Sequence, residues 1–383
     1  MNFTLTPEQQ EVRALARDFA EREVAPVIRH FDEAQEFPHE ILNKLAGTGL
    51  LGALVPEEYG GAALDYVSYA LAVEELNRVD ASVGITMWAH NSLCTNHITL
   101  FGSREQKARY LPRLAKGEVL GAWGLTEPGS GSDAAAMRSR ATADGDHFVL
   151  NGSKAFITNA GVADVTVAMA ITDPARGSKG ISAFILDRGL PGFTVGKPYR
   201  KLGLHASNTA ELHFDNVRVP ATALCGQAGQ GFVNTMQVLE GGRIAMAAMA
   251  VGLAQGALDE AVKYMKQRSA FGKMLAELNG LQGMIADIGT EVEAARLLML
   301  RAAALKDRGK PAKVAASMAK VFASEVAMKA ATKSLQIHGG AGYITEFPIE
   351  RIFRDAKLTE IGEGTSEIQR MVIAREILGM HGA

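Results

Sequence analysis

Several things that would narrow the function are scarce in this chain. Of 383 residues only Cys94 and Cys225 are cysteine, and no paired spacing suggests a disulfide frame or a zinc site, which points to a reducing compartment. The nine histidines include no pair spaced as metal ligands on a helix. Neither sign of charge dominates: 40 Lys and Arg stand against 42 Asp and Glu, a formal charge of -2. Without a basic field, nucleic acid is excluded as the expected partner. The longest apolar-looking stretch, Ile244 to Leu258, is broken by small residues and falls short of the roughly 20 residues a membrane span requires. Met1 to Gln10 show no basic segment leading into an apolar one, so no secretory signal is read. The expectation is a soluble protein of the cytoplasm, or of the mitochondrial matrix if a transit peptide had been removed, with no membrane partner.

What is present is ordinary globular material, 47% hydrophobic and 21% charged, long enough for two or three packed units. Thr6, Pro7 and Gln9 make a capping box and helix start, after which Val12, Leu15, Ala16 and Phe19 recur on one helical face. Further helical patterns run from about Pro38 to Leu51, Tyr66 to Arg78 and Ser103 to Leu114. From about Gly121 short runs rich in β-branched and aromatic residues take over: His147 to Leu150, Val165 to Ile171, Ile181 to Leu186 and Glu211 to Val219. After Gly231 the chain returns to long Ala-, Leu- and Met-rich helices, roughly Phe232 to Arg268, Leu278 to Asp307, Pro311 to His338 and Thr365 to Leu378. The spacing predicts an α+β protein: a helical domain over 1–120, a β unit over 121–228 and a helical bundle over 229–383.

Four segments carry residues suited to chemistry. In Trp123–Asp133, glycines let backbone N–H groups approach a planar or anionic ligand, while Thr126, Ser130 and Ser132 offer hydroxyls. It lacks the spacing of a dinucleotide fold and the Lys of a P-loop, and a plain turn also fits it. In Ile361–Arg370, Glu363 lies between two glycines ahead of a helix that Thr365 or Ser366 can cap. A carboxylate there, desolvated beside an apolar cavity, has the properties of a general base, although an acidic loop residue also fits. Gln336–Tyr343 closes a helix with clustered glycines, as a helix cap or as backbone pressed against a ligand. Arg268–Lys273 joins cations to an aromatic, suited to a phosphate or simply to a helix C-terminus.

Taken together and in this order, these segments resemble the acyl-CoA dehydrogenases, flavoproteins that introduce a trans-2,3 double bond into fatty or branched acyl-CoA thioesters. The resemblance runs from the first helix to Arg375. It rests above all on Leu125-Thr126-Glu127-Pro128-Gly129 with Gly131-Ser132-Asp133, and on Glu363-Gly364-Thr365-Ser366-Glu367-Ile368-Gln369-Arg370. It implies a helical N-terminal domain, a β-barrel-like middle domain and a C-terminal four-helix bundle, holding FAD across a subunit contact in a homotetramer. Trp123, Leu125, Thr126, Ser132, Phe156 and Thr158 would line the flavin. Arg268, Phe271, Asn279, Gln336, Gly339 and Gly340 would reach the FAD of a neighbouring subunit, and Thr365 and Glu367 match further FAD-contacting positions.

The same resemblance makes Glu363 the catalytic base for the α proton, opposite a flavin that accepts the β hydride, with Ser132, Glu240, Arg243 and Gly364 on the substrate side. Electrons would leave through an electron-transfer flavoprotein. Gly242 stands where some members place their base, so Glu363 has no rival. Departures are Gly362 for a common Tyr, Asn279 for a frequent Gln, Ala270 for a polar residue, and His205 for a usual Arg in Gly203-x-x-x-Ser207. An acyl-CoA oxidase is the nearest alternative, disfavoured by chain length, and a DNA-associated member of the same fold is disfavoured by the balanced charge.

Overall fold

The computed structural model describes residues 4–380. Thr6 accepts from the Gln9 N–H while the Gln9 side chain accepts from the Thr6 N–H, so the expected capping box starts α1 (Pro7–Phe19). There follow α2 (Ile28–Ala34), α3 (His39–Ala46), α4 (Tyr66–Val79), α5 (Ala81–Ala89), α6 (Asn96–Phe101) and α7 (Arg104–Ala115). Asp65, Asp80 and Ser103 cap α4, α5 and α7 with side-chain acceptors. A π-helical turn, His90–Thr95, joins α5 to α6. This stretch from Ala81 to Phe101 lay outside the sequence reading for a physical reason: α5 is buried on every side, so its apolar residues have no helical period to detect.

The middle of the chain forms β1 (Gly121–Gly124), β2 (Arg140–Asp144), β3 (His147–Thr158), β4 (Val165–Ile171), β5 (Ile181–Asp187), β6 (Phe193–Val195), β7 (Thr209–Pro220) and β8 (Leu224–Cys225). These make an eight-stranded sheet in the order β6-β7-β3-β2-β4-β5-β8, with β1 alongside β4 in parallel. The β3–β7 pairing shifts register between Lys154 and Ile157, which turns Phe156 out with a left-handed φ of 59°.

The C-terminal part consists of α8 (Gly231–Met265), a small hairpin of β9 (Ser269–Ala270) and β10 (Lys273–Met274), α9 (Asn279–Asp307), α10 (Lys313–His338), α11 (Ile349–Ile361) and α12 (Ser366–Ile377). Helix α8 packs against α4, α9, α10 and α11. Its approach to α4 depends on glycine: a Cβ on Gly252 would lie 2.3 Å from the Glu74 carbonyl oxygen, and one on Gly256 2.3 Å from that of Arg78. One apolar core runs through both helical parts, and a second lies within the sheet. Helix α11 was absent from the sequence reading because six of its thirteen residues are charged. Two of them, Arg351 and Asp355, are nevertheless buried.

Candidate active site

The sheet and α11 together define a cavity of about 580 Å³, within the usual range for small-ligand sites. Trp123, Leu125, Thr126, Ser132, Phe156 and Thr158 line it from the sheet side, and Gly362, Glu363, Gly364 and Thr365 from the α11–α12 turn. Ile85, Trp88, Ala89 and Leu93 from α5 and the π-turn, with Met246 from α8, close the apolar end. Six residues named from sequence as one flavin-facing set thus meet the candidate base in a single space.

The Thr126 loop is fixed by a buried ion pair beneath it. Lys154, fully buried, donates from Nζ to Glu127 Oε1 at 2.8 Å and to the Leu125 carbonyl at 3.3 Å. Glu127 also accepts from the Arg138 and Ser139 N–H groups at 2.6 and 2.9 Å. Burial works against the Glu127 carboxylate, but Lys154 and the other donors outweigh it and hold its pKa below the usual value. The Ala155 N–H then donates to the Thr126 carbonyl at 2.8 Å, which presents the Thr126 side chain to the cavity. Phe156 forms the exposed face of that wall, tilted against Tyr199 with ring centroids 5.2 Å apart.

The base loop departs from helix abruptly. Glu363 and Gly364 take left-handed φ values of 57° and 90°, and Thr365 caps α12 by accepting from the Ile368 N–H. Two fully buried side chains hold this turn: Lys320 Nζ donates to the Gly364 carbonyl at 2.8 Å, and Gln369 Nε2 donates to the Glu363 and Gly364 carbonyls, both at 3.0 Å. The Glu363 carboxylate is turned back over α8. A Cβ on Gly242 would lie 2.3 Å from Glu363 Oε2, so only glycine leaves room for it.

Among the described residues Glu363 Oε2 is buried with no hydrogen-bond partner. Burial raises its pKa to about 7, against the opposing pull of Arg243 and Lys320. Lys320 is pushed down to about 8, chiefly by burial. Arg243 is 7% exposed, and its Nε also lacks a partner; burial lowers its pKa while Glu363 opposes the change. An unpaired carboxylate that titrates near neutrality over an apolar space has the proton affinity a general base needs.

Other residues named from sequence lie elsewhere. Arg268, Gly339 and Gly340 line a second, more open cleft with Tyr264 and His338, whose rings stack at 4.3 Å. Phe271 is 94% exposed, and Asn279, Gln336 and Glu367 are on the surface. Glu240 lies on α8 beside Lys306, 4.0 Å away, and Arg243 sits behind Glu363 rather than in the cavity wall. Sequence reasoning missed Lys154, Lys320 and Gln369 as supports. For Lys320 a signal existed: it is a single cation among Ala315, Ala316, Ser317, Ala319, Ala323 and Ser324 on α10, small residues of the kind that close helix packing uses.

Comparison with known proteins comes to the same place. Three family models match: "Acyl-CoA dehydrogenase, N-terminal domain" over residues 6–118, the middle domain over 122–217 and the C-terminal domain over 229–378. A short-chain specific acyl-CoA dehydrogenase of Clostridium acetobutylicum is 49% identical over 98% of this chain and 100% of its own. Among solved structures, butyryl-CoA dehydrogenase of Megasphaera elsdenii superposes with a TM-score of 0.97 at 46% identity, covering 99% of this chain and 100% of that one. A chain in work on the electron transferring flavoprotein of Acidaminococcus fermentans and flavin-based electron bifurcation also gives 0.97, at 49% identity and 99% and 100% coverage. A glutaryl-CoA dehydrogenase of Mycobacterium smegmatis in complex with FADH2 gives 0.94, at 33% identity and 98% and 95% coverage.

Proposed function

The chain belongs to the acyl-CoA dehydrogenase family, and from that premise we propose that it dehydrogenates a short, straight acyl-CoA such as butyryl-CoA, with Glu363 as the base. The enzyme is an acyl-CoA dehydrogenase with FAD as its cofactor, and its electrons pass to an electron-transfer flavoprotein. The short-chain reading is supported by the names of its relatives.

The residues present fit the cofactor. Thr126, Ser132 and Thr158 bring hydroxyls and Phe156 an exposed ring to one wall of the cavity, a donor set suited to a planar, polar-edged ring system. When bound there, FAD supplies the two-electron acceptor for the hydrogen at the β carbon. The rest falls to the chain itself. Glu363, which lines the cavity and whose Oε2 is unpaired, takes the α proton. Its own backbone N–H would donate to the thioester oxygen, where charge develops as that proton leaves. Lys320 and Gln369 keep the loop from yielding, and the walls from Ile85, Trp88, Leu93 and Met246 exclude water. Arg268, Gly339 and Gly340, with the exposed Phe271, would contact the cofactor of a neighbouring protomer in a homotetramer.

The observation that carries this reading is the buried, unpartnered Glu363 oxygen seated over Gly242. Anaerobic mixing of the purified yellow protein with straight acyl-CoAs of increasing length, and with a branched and an aromatic one, should bleach the flavin fastest with the four-carbon substrate. Glu363→Gln should retain flavin yet fail to bleach. Undiminished bleaching in that variant would move the base elsewhere, and fast peroxide formation without benefit from the electron-transfer flavoprotein would favour an oxidase.

A further inference from the structure

Helix α8 and the turn that carries the base fit together through two glycines. Gly242 of α8 leaves room for the Glu363 carboxylate, and Gly362 of the turn leaves room for Met246 of α8. A Cβ added at Gly362 would lie 2.8 Å from Met246 Cε, inside the separation of about 3.5 to 4.0 Å at which carbon atoms rest in contact. The backbone does not call for glycine here. Gly362 has φ -66° and ψ 156°, values open to any residue. What the absent side chain supplies is a notch, bordered by Leu358, whose carbonyl oxygen and Cδ1 stand 3.5 and 3.9 Å from the same point.

Met246 follows Gly242 by four residues, so the two share one face of α8, about one helical turn or 5.4 Å apart. The base thus rests on α8 with the Met246 thioether beside it. Met246 also lines the cavity, together with Trp88, Leu93, Leu358 and Gly362. These walls differ in how far they can yield. The Trp88 indole N–H donates to Met249 Sδ at 3.4 Å and the ring is buried, which fixes it. Met246 is unbranched, with three rotatable side-chain bonds, so its shape is settled by where its end can lodge.

We propose that Met246, with its methyl group lodged in the Gly362 notch, is the specificity-determining residue for branching at the carbon that gives up its proton. The inference rests on the acyl-CoA reading and deepens it. The carbon deprotonated by Glu363 must lie against the carboxylate, and a methyl substituent on that carbon needs the space alongside. Met246 fills that space on the α8 side, so the slot takes a short straight acyl group and turns away one branched next to the thioester. The volume is shared between positions 246 and 362. A shorter side chain at 246 opens the notch to a branch, and a side chain at 362 drives the thioether out of the notch toward the slot.

Butyryl-CoA and 2-methylbutyryl-CoA differ by one methyl group on that carbon, and the experiment compares them by anaerobic flavin reduction in the wild type, Met246→Ala, Gly362→Ala and the double variant. One methyl group in an apolar site is worth roughly 10- to 200-fold in kcat/KM, so the wild type should favour butyryl-CoA and Met246→Ala should raise the branched-to-straight ratio about 10- to 100-fold. Gly362→Ala alone should lower kcat/KM for both substrates and lower the melting temperature. In the Met246→Ala background the same alanine should leave the melting temperature unchanged and pull the ratio back at least about fivefold, because its methyl group refills the notch. Met246→Val carries the test if Met246→Ala does not fold. A wild type that reduces equally with both substrates, a ratio that moves less than about threefold on truncation of Met246, or a Gly362→Ala effect that is the same in both backgrounds overturns the inference, while turnover of butyryl-CoA keeps the functional reading. Bleaching by neither substrate in any of the four proteins overturns both.

Discussion

Replacing Gly242 with Ala puts one methyl group where the Glu363 carboxylate rests. The added Cβ would stand 2.3 Å from Oε2 and 3.1 Å from Leu93 Cδ2. Leu93 can swing its terminal methyl aside, but the carboxylate must retreat by roughly 1 Å to reach ordinary contact. A displacement of that size at a reacting group costs on the order of 100-fold, or about 2.7 kcal/mol of barrier. Stability should barely follow, because alanine in mid-helix gains about 1 kcal/mol over glycine and offsets the crowding. The carboxylate pushed out of its seat regains water, and since burial is the leading cause of its raised pKa, the apparent pKa in kcat/KM should fall toward the ordinary carboxylate range. Gly241→Ala is the matched control. Its Cβ would meet the Tyr66 hydroxyl at 3.1 Å and not the base, so activity should stay within about threefold, within the usual reach of a substitution away from the chemistry. Stopped-flow flavin reduction with butyryl-CoA, run from pH 5.5 to 9 on all three proteins, separates the cases. Wild-type rates and an unshifted pH profile in Gly242→Ala would refute the placement of the carboxylate against α8.

In the wild type, a base titrating at about 7 must lose its proton to work, so kcat/KM should rise about tenfold per pH unit below that value and level off above it; a flat profile from pH 5.5 to 9 would contradict the assignment. The same raised pKa means that the folded state binds this proton more tightly than the unfolded one. Stability from the group is therefore full below the unfolded carboxyl range and is lost as pH rises through about 7. Glu363→Gln should accordingly match the wild type in thermal unfolding at pH 4.5 and exceed it at pH 8 by on the order of 2 kcal/mol. Lys320→Met removes the donor to the Gly364 carbonyl and one of the two cations that hold the base down. Flavin reduction should slow by roughly 10- to 100-fold, the cost of a lost charged hydrogen bond, and the kinetic pKa should move upward. Lys154→Met strands the Glu127 carboxylate beneath the flavin loop. Breaking one side of a buried pair costs about 3–5 kcal/mol, so the melting temperature should drop by at least about 5 °C, and FAD should dissociate more readily in dialysis.

Much of the architecture could be read from local patterns because those patterns act locally. The box at Thr6 and Gln9, the period-two run at Val165–Ile171 and the Ala-rich stretches after Gly231 each specify one element through neighbours a few residues away. The sheet elements that went unread, β1, β2, β6 and β8, are strands of two to five residues, too short to show a period of their own; β1 also takes its partner, Val165–Ala168, from some 40 positions further on. The candidate base was legible for a different reason. Glycines flank Glu363 on both sides, and the turn indeed needs a left-handed residue at Gly364. The assignment of partners around it was not. Nothing near Glu363 in sequence indicates that the oxygen comes to rest on Gly242, some 120 positions earlier, since that contact exists only once α8 and α11 have packed.

Apart from Gln369, the residues that escaped notice share one trait, which is that each is a charge placed where a charge is expensive. Lys154 and Lys320 are fully buried, and Arg351 and Asp355 nearly so. In sequence such residues read as the solvated side of a helix or strand, because most charges are there. Burying each one costs several kcal/mol before any partner is found, so the fold tolerates them only where each holds something that must not move. Lys154 fixes the loop under Thr126, Lys320 fixes the turn that carries the base, and Asp355 with Arg354 and Asp32 fixes the segment that carries His205. All three attachments meet the same cavity wall. The proton affinity of Glu363 then follows from the arrangement as a whole: enough burial to lift the carboxyl to about 7, and enough nearby cation to stop it rising further. Removing either cation should slow the reaction at neutral pH while leaving a higher-pH optimum, and a variant that lost activity equally at every pH would show that geometry alone, without the electrostatic balance, is what these charges maintain.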